Sequence, residues 1–265
     1  MSQLLKVKVG KLKSLTDNPT HYCAGCEHGT LTRLIGSALD GLGIREKTVM
    51  VDSVGCSVLA YNYLNCDHIV APHGRAPAVA TGLKRVRPEL MVFSVQGDGD
   101  AASIGLLELM YAAKRATPIT LFLVNNGIYG MTGGQMAPTT LQGQVTTTTP
   151  YGRDPALTGT ELDASKLLEG IDGAAYVRRA SLVLTELATA RGKVYSIKNI
   201  LDAKKSVENA FKVQAMGGFS FVEFLSTCSV NWKMPILSAK RYVNEHVIKK
   251  YPLGLFKDKL GVEKQ

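Results

Sequence analysis

Residues 90–110 read LMVFSVQGDGDAASIGLLELM: a short apolar run, a glycine-rich turn and a second apolar stretch with helical spacing. Leu90 to Val95 is predicted to be a buried strand, and Ser103 to Arg115 a helix that ends before Pro118. A tight turn between a strand and a helix leaves free backbone N–H groups at the positive helix N-terminus, where phosphate oxygens bind. This segment therefore predicts a phosphate site at the end of a strand.

The same alternation of strand and helix continues on both sides of this segment. Further helices are predicted from Gly29, from Ala78 to Arg87 and from Ser196 to Met216. Further strands are predicted at residues 48–51, 119–124, 174–178 and 219–225. Buried strands that alternate with helices indicate an α/β fold, with a mostly parallel sheet and helices on both faces.

The chain length of 265 residues suits one domain, and no repeat or linker demands a second. We therefore expect a single domain over residues 1–265, with a C-terminal tail from about residue 233. Residues from Asn125 to about Ser165 are rich in Gly, Thr and Pro, and so long a loop predicts a functional segment. No apolar run reaches the ~20 residues of a membrane helix. The basic N-terminus lacks the apolar stretch of a secretory signal, so we expect a cytoplasmic protein.

Charge and cysteine content narrow the class of protein. A net charge of +9 favours an acidic partner or a phosphate-bearing ligand. Nucleic acid is disfavoured, because Lys and Arg are spread along the chain and only one Trp is present. Five cysteines in a chain of this length indicate metal or redox chemistry more than a disulfide framework.

The turn after the strand carries an acidic residue, Asp98, between Gly97 and Gly99. A dinucleotide-binding turn also fits this glycine spacing, but a bare carboxylate there would repel pyrophosphate unless a divalent cation bound both. The next predicted strand ends in Asn125-Asn126, where a dinucleotide site would have an acidic residue for the ribose. Oxygen ligands from Asp98 and Asn126, at the carboxyl ends of successive strands, suit Mg²⁺.

Four cysteines occupy positions typical of metal ligands. Cys23 and Cys26 form a C-x-x-C pair, whereas Cys56 and Cys228 each follow a predicted strand. Such a set can hold Zn²⁺ or a [4Fe–4S] cluster, and the residues alone leave zinc, an iron–sulfur cluster and no metal open. Cys66 is predicted to be an ordinary buried thiol.

Several segments between Tyr22 and Trp232 together resemble the β subunits of the 2-oxoacid:ferredoxin oxidoreductases. Asn126 follows Asp98 by 28 residues, as in the thiamine diphosphate motif GDG…NN. The other matching segments are HGRAPAVATGLKR (73–85), NNGIYGMTGGQMAPTT (125–140), TTTTPYGRD (146–154) and FSFVEFLSTC (219–228). The segment AYNYLNCDH (60–68) also resembles the branched-chain, 2-oxoisovalerate branch of the family.

The resemblance implies specific roles for residues of this chain. Mg²⁺ would be bound by Asp98, Asn126 and the carbonyl of Ile128, and a [4Fe–4S] cluster by Cys23, Cys26, Cys56 and Cys228. Thiamine diphosphate would contact Gly55, Ser57, His73, Gly97, Asp98, Gly99, Asp100, Asn126, Gly130, Met131 and Thr132. Asp100 is in addition expected to cap the following helix. Glu27 stands where relatives usually have a small residue, and its charge is expected to lower the cluster potential.

The implied reaction is oxidative decarboxylation of a 2-oxoacid with coenzyme A, giving acyl-CoA and carbon dioxide. Electrons would pass from thiamine diphosphate through the [4Fe–4S] cluster to ferredoxin. Thiamine activation needs a Glu, which the resemblance assigns to an α subunit, with γ and ferredoxin-like δ subunits as further partners. Glu108 and Glu161 are candidates within this chain. The alternatives are a non-redox thiamine-dependent lyase subunit and a zinc-stabilised nucleotide-binding module.

The substrate prediction rests on the residues expected nearest the cofactor, which are Val58, Leu59 and Tyr61. A 2-oxoglutarate site would pair the distal carboxylate with Lys or Arg, because a buried unpaired carboxylate is costly. No basic residue occurs between Cys56 and His68. A neutral, branched 2-oxoacid is therefore favoured over 2-oxoglutarate or pyruvate, with Arg75, Arg153 or a partner residue as candidates for such a cation.

Overall fold

The computed structural model describes residues 10–189 and 192–264. The strands are β1 (Thr48–Asp52), β2 (Asp67–Val70), β3 (Met91–Gly97), β4 (Thr120–Asn125), β5 (Ile128–Tyr129), β6 (Gln135–Met136), β7 (Ala174–Ser181), β8 (Thr185–Thr189), β9 (Gly192–Ser196), β10 (Phe219–Leu225) and β11 (Gly254–Asp258). The α-helices are α1 (His28–Leu42), α2 (Ala76–Val86), α3 (Leu106–Lys114), α4 (Pro155–Thr158), α5 (Ala164–Glu169), α6 (Lys198–Ala215), α7 (Ile236–Tyr242) and α8 (Ile248–Lys250).

Seven of these strands form one sheet, in the order β11-β7-β10-β4-β3-β1-β2. All neighbouring strands run parallel except β11, which pairs antiparallel with β7. The predicted α/β class with a mostly parallel sheet is thereby confirmed.

Helices cover both faces of the sheet, because the central strands are apolar on both sides. On one face, Phe93 and Phe122 pack with α1 and α6 around Phe211. On the other face, Leu121 and Leu123 pack against the helices α2, α3 and α5. The two cores hold β3 and β4 rigidly, and the carboxyl ends of these strands carry the predicted phosphate turn and the asparagine pair.

The helix after the glycine-rich turn differs from its prediction. A π-helical segment, Asp100–Ile104, follows the turn, and the regular α3 begins only at Leu106. π-Helical turns are rare and are frequent at functional sites, where they widen the backbone locally. The carbonyls and side chains after Asp98 are thus arranged differently from those of a regular helical first turn.

The long segment that follows Asn125 is irregular but well anchored. The buried side chain of Arg153 donates to the carbonyls of Pro138 (2.8 Å), Thr140 (2.6 Å), Gly159 (3.1 Å) and Thr160 (2.9 Å). One guanidinium therefore donates hydrogen bonds to backbone carbonyls that lie outside any helix or sheet. The segment has a defined shape beside the sheet edge.

The elements that were not predicted from the sequence include the edge strand β2, the β8–β9 hairpin and the last strand, β11. They also include the short elements β5, β6, α4 and α5 in and after the long loop, and the helices α7 and α8. The expected C-terminal tail thus contributes both helices and a sheet strand. Residues 1–9, most of the basic N-terminus, lie outside the described residues. In the described part of the chain, no helix has the length and apolar character needed to cross a membrane.

Candidate functional site

A cavity of about 210 Å³ lies at the carboxyl edge of the sheet, between the loops that follow β1, β3 and β4. The residues predicted to contact a cofactor or Mg²⁺ that line this cavity are Gly55, His73, Gly97, Asp98, Gly99, Asp100, Asn126, Ile128, Gly130, Met131 and Thr132. These residues come from four segments of the chain, which follow β1, β2, β3 and β4, and the parallel sheet brings them together because the carboxyl ends of its strands share one edge.

Asp98 is the acidic centre of this cavity and is almost fully buried. Its Oδ2 accepts a hydrogen bond from the Thr139 hydroxyl (2.7 Å), and its Oδ1 accepts one from the Gly99 N–H (3.0 Å). Burial raises the pKa of Asp98 to about 6, although these hydrogen bonds lower it. A buried carboxylate with only neutral donors around it is well suited to bind a divalent cation.

The two asparagines after β4 have different roles. Asn126 lines the cavity, and its Oδ1 accepts a hydrogen bond from the Ile128 N–H (3.3 Å). Asn125 turns into the core, where its Nδ2 donates to Glu223 Oε1 (2.7 Å). Asn126 therefore presents an amide oxygen near Asp98, while Asn125 fixes the turn.

Asp100 does not cap the following helix, contrary to the prediction. Its Oδ1 accepts hydrogen bonds from His73 Nδ1 (2.5 Å) and from the Gly74 N–H (2.7 Å), and its Oδ2 accepts one from Gln96. The Asp100 carboxylate is therefore fully hydrogen-bonded, mainly to the loop between β2 and α2. It thereby holds His73, whose side chain is 45% exposed, at the cavity wall.

Ser57 and the residues after it do not line the cavity, which corrects two expectations. The Ser57 hydroxyl donates to the Val95 carbonyl (2.7 Å) and is buried beneath β3. Val58, Leu59 and Tyr61 belong to a 3-10 helical segment, Val58–Asn62, that leads away from the cavity. The turn at Gly55 sets the direction in which the chain leaves the cavity. The spacing of residues in the sequence did not predict this direction.

The four cysteines with predicted metal roles surround a second, smaller cavity of about 70 Å³. Cys66 lies elsewhere, 3.6 Å from His68 Nε2. Gly130 borders the cysteine cavity, and a Cβ there would lie 3.4 Å from Cys56 Sγ and 3.5 Å from Cys228 Sγ. Glycine thus lets the loop after β4 approach two thiols closely.

Among the residues that the structure describes, no Lys or Arg lines this cavity to favour ionisation of its thiols. Burial raises the pKa of Cys26 to about 12 and that of Cys56 to about 11, and neighbouring thiols add to both shifts. Within residues 10–189 and 192–264, no three His, Cys, Asp or Glu side chains converge on a point that could hold a single metal ion. The four cysteines instead line a common cavity.

The two cavities share a wall built from His28, Cys56, Asn126 and Gly130. His28 is buried, and its Nδ1 lies 3.1 Å from Cys26 Sγ. Sequence reasoning missed His28, Thr139 and Asn231, whose Nδ2 donates to Cys228 Sγ (3.3 Å). His28 could have been predicted, because it lies two residues from Cys26 in the sequence. Thr139 could not, because it is 41 residues from Asp98.

Charged residues near the cavities are mostly engaged with other partners. Glu108 pairs with Arg75, and Glu161 pairs with Lys250. Neither glutamate lines the larger cavity. Arg153 is bound to loop carbonyls, and no Lys or Arg of the described chain lines either cavity.

The chain is similar to several known proteins. Residues 53–224 match the family described as thiamine pyrophosphate enzyme, C-terminal TPP binding domain. The ketoisovalerate oxidoreductase subunit VorA of Methanothermobacter thermautotrophicus is 45% identical over 241 residues, which are 91% of this chain and 48% of that protein. The 2-oxoglutarate synthase subunit KorB of Archaeoglobus fulgidus is 35% identical over 229 residues, 86% of this chain and 77% of that protein.

A solved structure also matches nearly the whole chain. It is a 2-oxoglutarate:ferredoxin oxidoreductase from Magnetococcus marinus with 2-oxoglutarate, coenzyme A and succinyl-CoA bound. The TM-score is 0.72 at 26% identity, and the match covers 96% of this chain and 87% of the other. This chain spans about half the length of the ketoisovalerate oxidoreductase subunits it resembles.

Proposed function

Because this chain belongs to the thiamine pyrophosphate enzymes, and within them to the β subunits of the 2-oxoacid:ferredoxin oxidoreductases, we propose that it oxidises a 2-oxoacid as part of a complex. The products would be acyl-CoA, carbon dioxide and reduced ferredoxin. The observation that carries the proposal is the shared wall, which sets a thiamine-type cavity directly beside four thiols. A non-redox lyase would not need a cysteine site beside its thiamine site, because it transfers no electrons.

The larger cavity supports Mg²⁺-bound thiamine diphosphate. Asp98 and Asn126, with the carbonyl of Ile128, would bind the metal ion, because the buried Asp98 carboxylate lacks a cationic partner among the described residues. Backbone groups around Gly99 and Gly130 would hold the diphosphate and the thiazolium. Thiamine diphosphate supplies a carbon nucleophile and an electron sink when bound, and the protein supplies orientation and electrostatics.

The smaller cavity supports a [4Fe–4S] cluster on Cys23, Cys26, Cys56 and Cys228. Zinc would need four ligands at about 2.3 Å from one point, so its four sulfurs would lie within about 4 Å of each other. The arrangement of the described thiols around a cavity favours the larger group. Asn231 would donate a hydrogen bond to Cys228 Sγ, and His28 would pack against Cys26 Sγ. Contacts of this kind tune the reduction potential of iron–sulfur clusters.

The chain is proposed to act only in a hetero-oligomer, in a cytoplasmic complex with α, γ and ferredoxin-like δ subunits. The larger cavity is lined by no Glu among the described residues, so a partner must contribute the activating carboxylate. The lining of the cavity supports this view, because it includes two exposed apolar side chains, Ile104 and Met131. Such a patch favours burial against a second subunit.

The substrate is proposed to be a neutral, branched 2-oxoacid. The cavity contains no Lys or Arg from the described chain, and Arg75 and Arg153 are engaged elsewhere. The ketoisovalerate-named relative supports the same choice at 45% identity. The 2-oxoglutarate-named relatives favour the second candidate, in which a partner subunit would supply the cation.

Steady-state kinetics of the assembled complex test this substrate proposal. We expect kcat/KM for 2-oxoisovalerate to exceed that for pyruvate by about 10–200-fold, the range that a few methylene groups provide in an apolar pocket. The value for 2-oxoglutarate should be lower still, because its second carboxylate would be buried without a partner. A preference for 2-oxoglutarate would overturn the substrate and leave the cofactor proposal standing.

A further inference from the structure

A buried carboxylate joins the two halves of the cysteine site. Glu27 follows Cys26 directly, and its side chain is 3% exposed. Its Oε2 accepts hydrogen bonds from the Thr227 N–H (2.9 Å), the Thr227 hydroxyl (2.6 Å) and the Ser226 hydroxyl (3.2 Å). Thr227 immediately precedes Cys228, so this carboxylate links the residue after Cys26 to the residue before Cys228, two cysteines that are far apart in the sequence.

The helix α7 closes the other side of this contact. Lys240 Nζ lies 3.8 Å from Glu27 Oε1, which accepts no hydrogen bond in the described chain. Gly25 has a φ of +80°, and a Cβ there would meet Ile236 at 2.7 Å. The C-x-x-C turn is therefore held between the end of β10 and α7 by a charge contact and by close packing.

Removal of a carboxylate from water is costly, and the cost is offset only where donors are in place. Here the donors belong to the segment that carries Cys228, so the hydrogen bonds form only when the two thiol-bearing segments are correctly spaced. All of these contacts are between protein atoms. Residues that orient metal ligands in this way typically change metal affinity by about 10–100-fold.

We propose that Glu27 is a positioning residue that preorganises the cysteine site for its cluster. The inference rests on the proposed function, in which Cys23, Cys26, Cys56 and Cys228 hold an iron–sulfur cluster. Glu27 contacts no cluster atom in this role. It keeps the Cys26 turn and the Cys228 segment at a fixed separation through Thr227.

Cysteine alkylation in the anaerobically purified complex gives a site-specific test that does not depend on activity or on iron in other subunits. An iron chelator and iodoacetamide are added together, and peptide mass spectrometry follows alkylation of Cys26 and Cys228 with time. Cys66 is the internal reference, because it lies outside the cavity. A cluster protects its cysteine ligands, so alkylation reports its loss at this site.

The variants separate positioning from general stability. Glu27→Ala should speed alkylation of Cys26 and Cys228 by about 10–100-fold. Glu27→Gln should stay close to wild type, since its amide oxygen still accepts from Thr227. The matched control is Glu161→Ala, because Glu161 is also buried, accepts from the Gln142 N–H (2.8 Å) and pairs with Lys250 (2.8 Å). It should leave the alkylation rate unchanged.

Three results would overturn the inference: a wild-type rate in Glu27→Ala, an equal acceleration in Glu161→Ala, or an acceleration in Glu27→Gln as large as that in Glu27→Ala. If Glu27→Ala does not assemble, Thr227→Val replaces it, and an unchanged rate there would likewise refute the role. Immediate alkylation of all four cysteines in the wild-type complex would instead refute the cluster assignment itself, and the positioning role with it.

Discussion

At the scale of single residues, the site depends on a carboxylate in an environment that disfavours its charge. Asp98 is buried among hydroxyl and backbone donors, and burial raises its pKa to about 6. A divalent cation would remove this cost and would in turn attract diphosphate. The same residue would therefore link the metal ion to the cofactor.

Replacement of this residue gives the first prediction. Asp98→Ala should weaken Mg²⁺-dependent binding of thiamine diphosphate by more than about 100-fold, whereas Thr139→Val should cost only about 10-fold, since Thr139 orients the carboxylate. Titration calorimetry of the assembled complex measures both affinities. Wild-type affinity in Asp98→Ala would contradict the metal assignment.

A second residue-scale prediction concerns pH and the pair of His68 with Asp52. His68 Nδ1 lies 2.8 Å from the buried Asp52 Oδ2. Burial lowers the pKa of His68, but the hydrogen bonds and charge interactions with Asp52 and Cys66 together outweigh it and raise the pKa to about 10. Because the folded pKa exceeds the usual value of 6.5, protonation stabilises the fold fully below about pH 6.5, and this stabilisation is lost as pH rises through about 10.

Urea titrations of the purified chain test this pair. The loss of unfolding free energy in His68→Asn should be largest near pH 6 and should shrink steadily towards pH 10. A loss that is the same at both ends of that range would show that the imidazole does not carry a raised pKa. The histidine would then stabilise the edge of the sheet through packing alone.

At the scale of secondary-structure elements, the predictable part of the fold was the part with strong periodicity. The strands β1, β3, β4, β7 and β10 are apolar runs buried on both faces, and α1 and α6 have clear helical spacing. These signals are local, so they can be read from one sequence. Asp98 and Asn126 were predictable for the same reason, because each directly follows a strand.

The elements that were missed depend on tertiary contacts. β2 is only four residues long and mostly exposed, so its pairing with β1 leaves no apolar pattern. β11 pairs with β7, which is 73 residues or more away along the chain. The path of residues 58–62 away from the cavity follows from the turn at Gly55. Thr139 reaches Asp98 only through the fold of the long loop, which Arg153 holds.

The junction of β7, β10 and α5 gives an element-scale prediction. Glu223 on β10 is fully buried and accepts from Arg179 Nε (2.8 Å), the Ser165 hydroxyl (2.6 Å) and Asn125 Nδ2 (2.7 Å). Glu223→Ala would leave Arg179 buried without this partner, and we expect it to cost about 3–5 kcal/mol of unfolding free energy.

Urea denaturation of the purified chain measures this cost. The control is Glu208→Ala, which removes an i,i+4 pair with Lys204 on the surface of α6 and should change stability by less than about 1 kcal/mol. Equal effects of the two substitutions would show that the Glu223 network does not hold the three elements together.

At the scale of the whole molecule, we propose that the chain forms one wall of a reaction site. The larger cavity is open at the carboxyl edge of the sheet and has exposed apolar residues at its rim, while the smaller cavity lies directly behind it. The purified chain alone should therefore show no 2-oxoacid oxidation. Activity should appear only when the partner that carries the activating Glu is added.

The most direct test of the account is the anaerobic absorption spectrum of the assembled complex as a 2-oxoacid is added with thiamine diphosphate and Mg²⁺. If electrons pass from thiamine diphosphate to the cluster, 2-oxoisovalerate should decrease the visible iron–sulfur absorption of the wild-type complex. The Asp98→Ala complex should keep the same initial spectrum and show no decrease. An unchanged wild-type spectrum with 2-oxoisovalerate, pyruvate and 2-oxoglutarate, or an equal decrease in the Asp98→Ala complex, would contradict it.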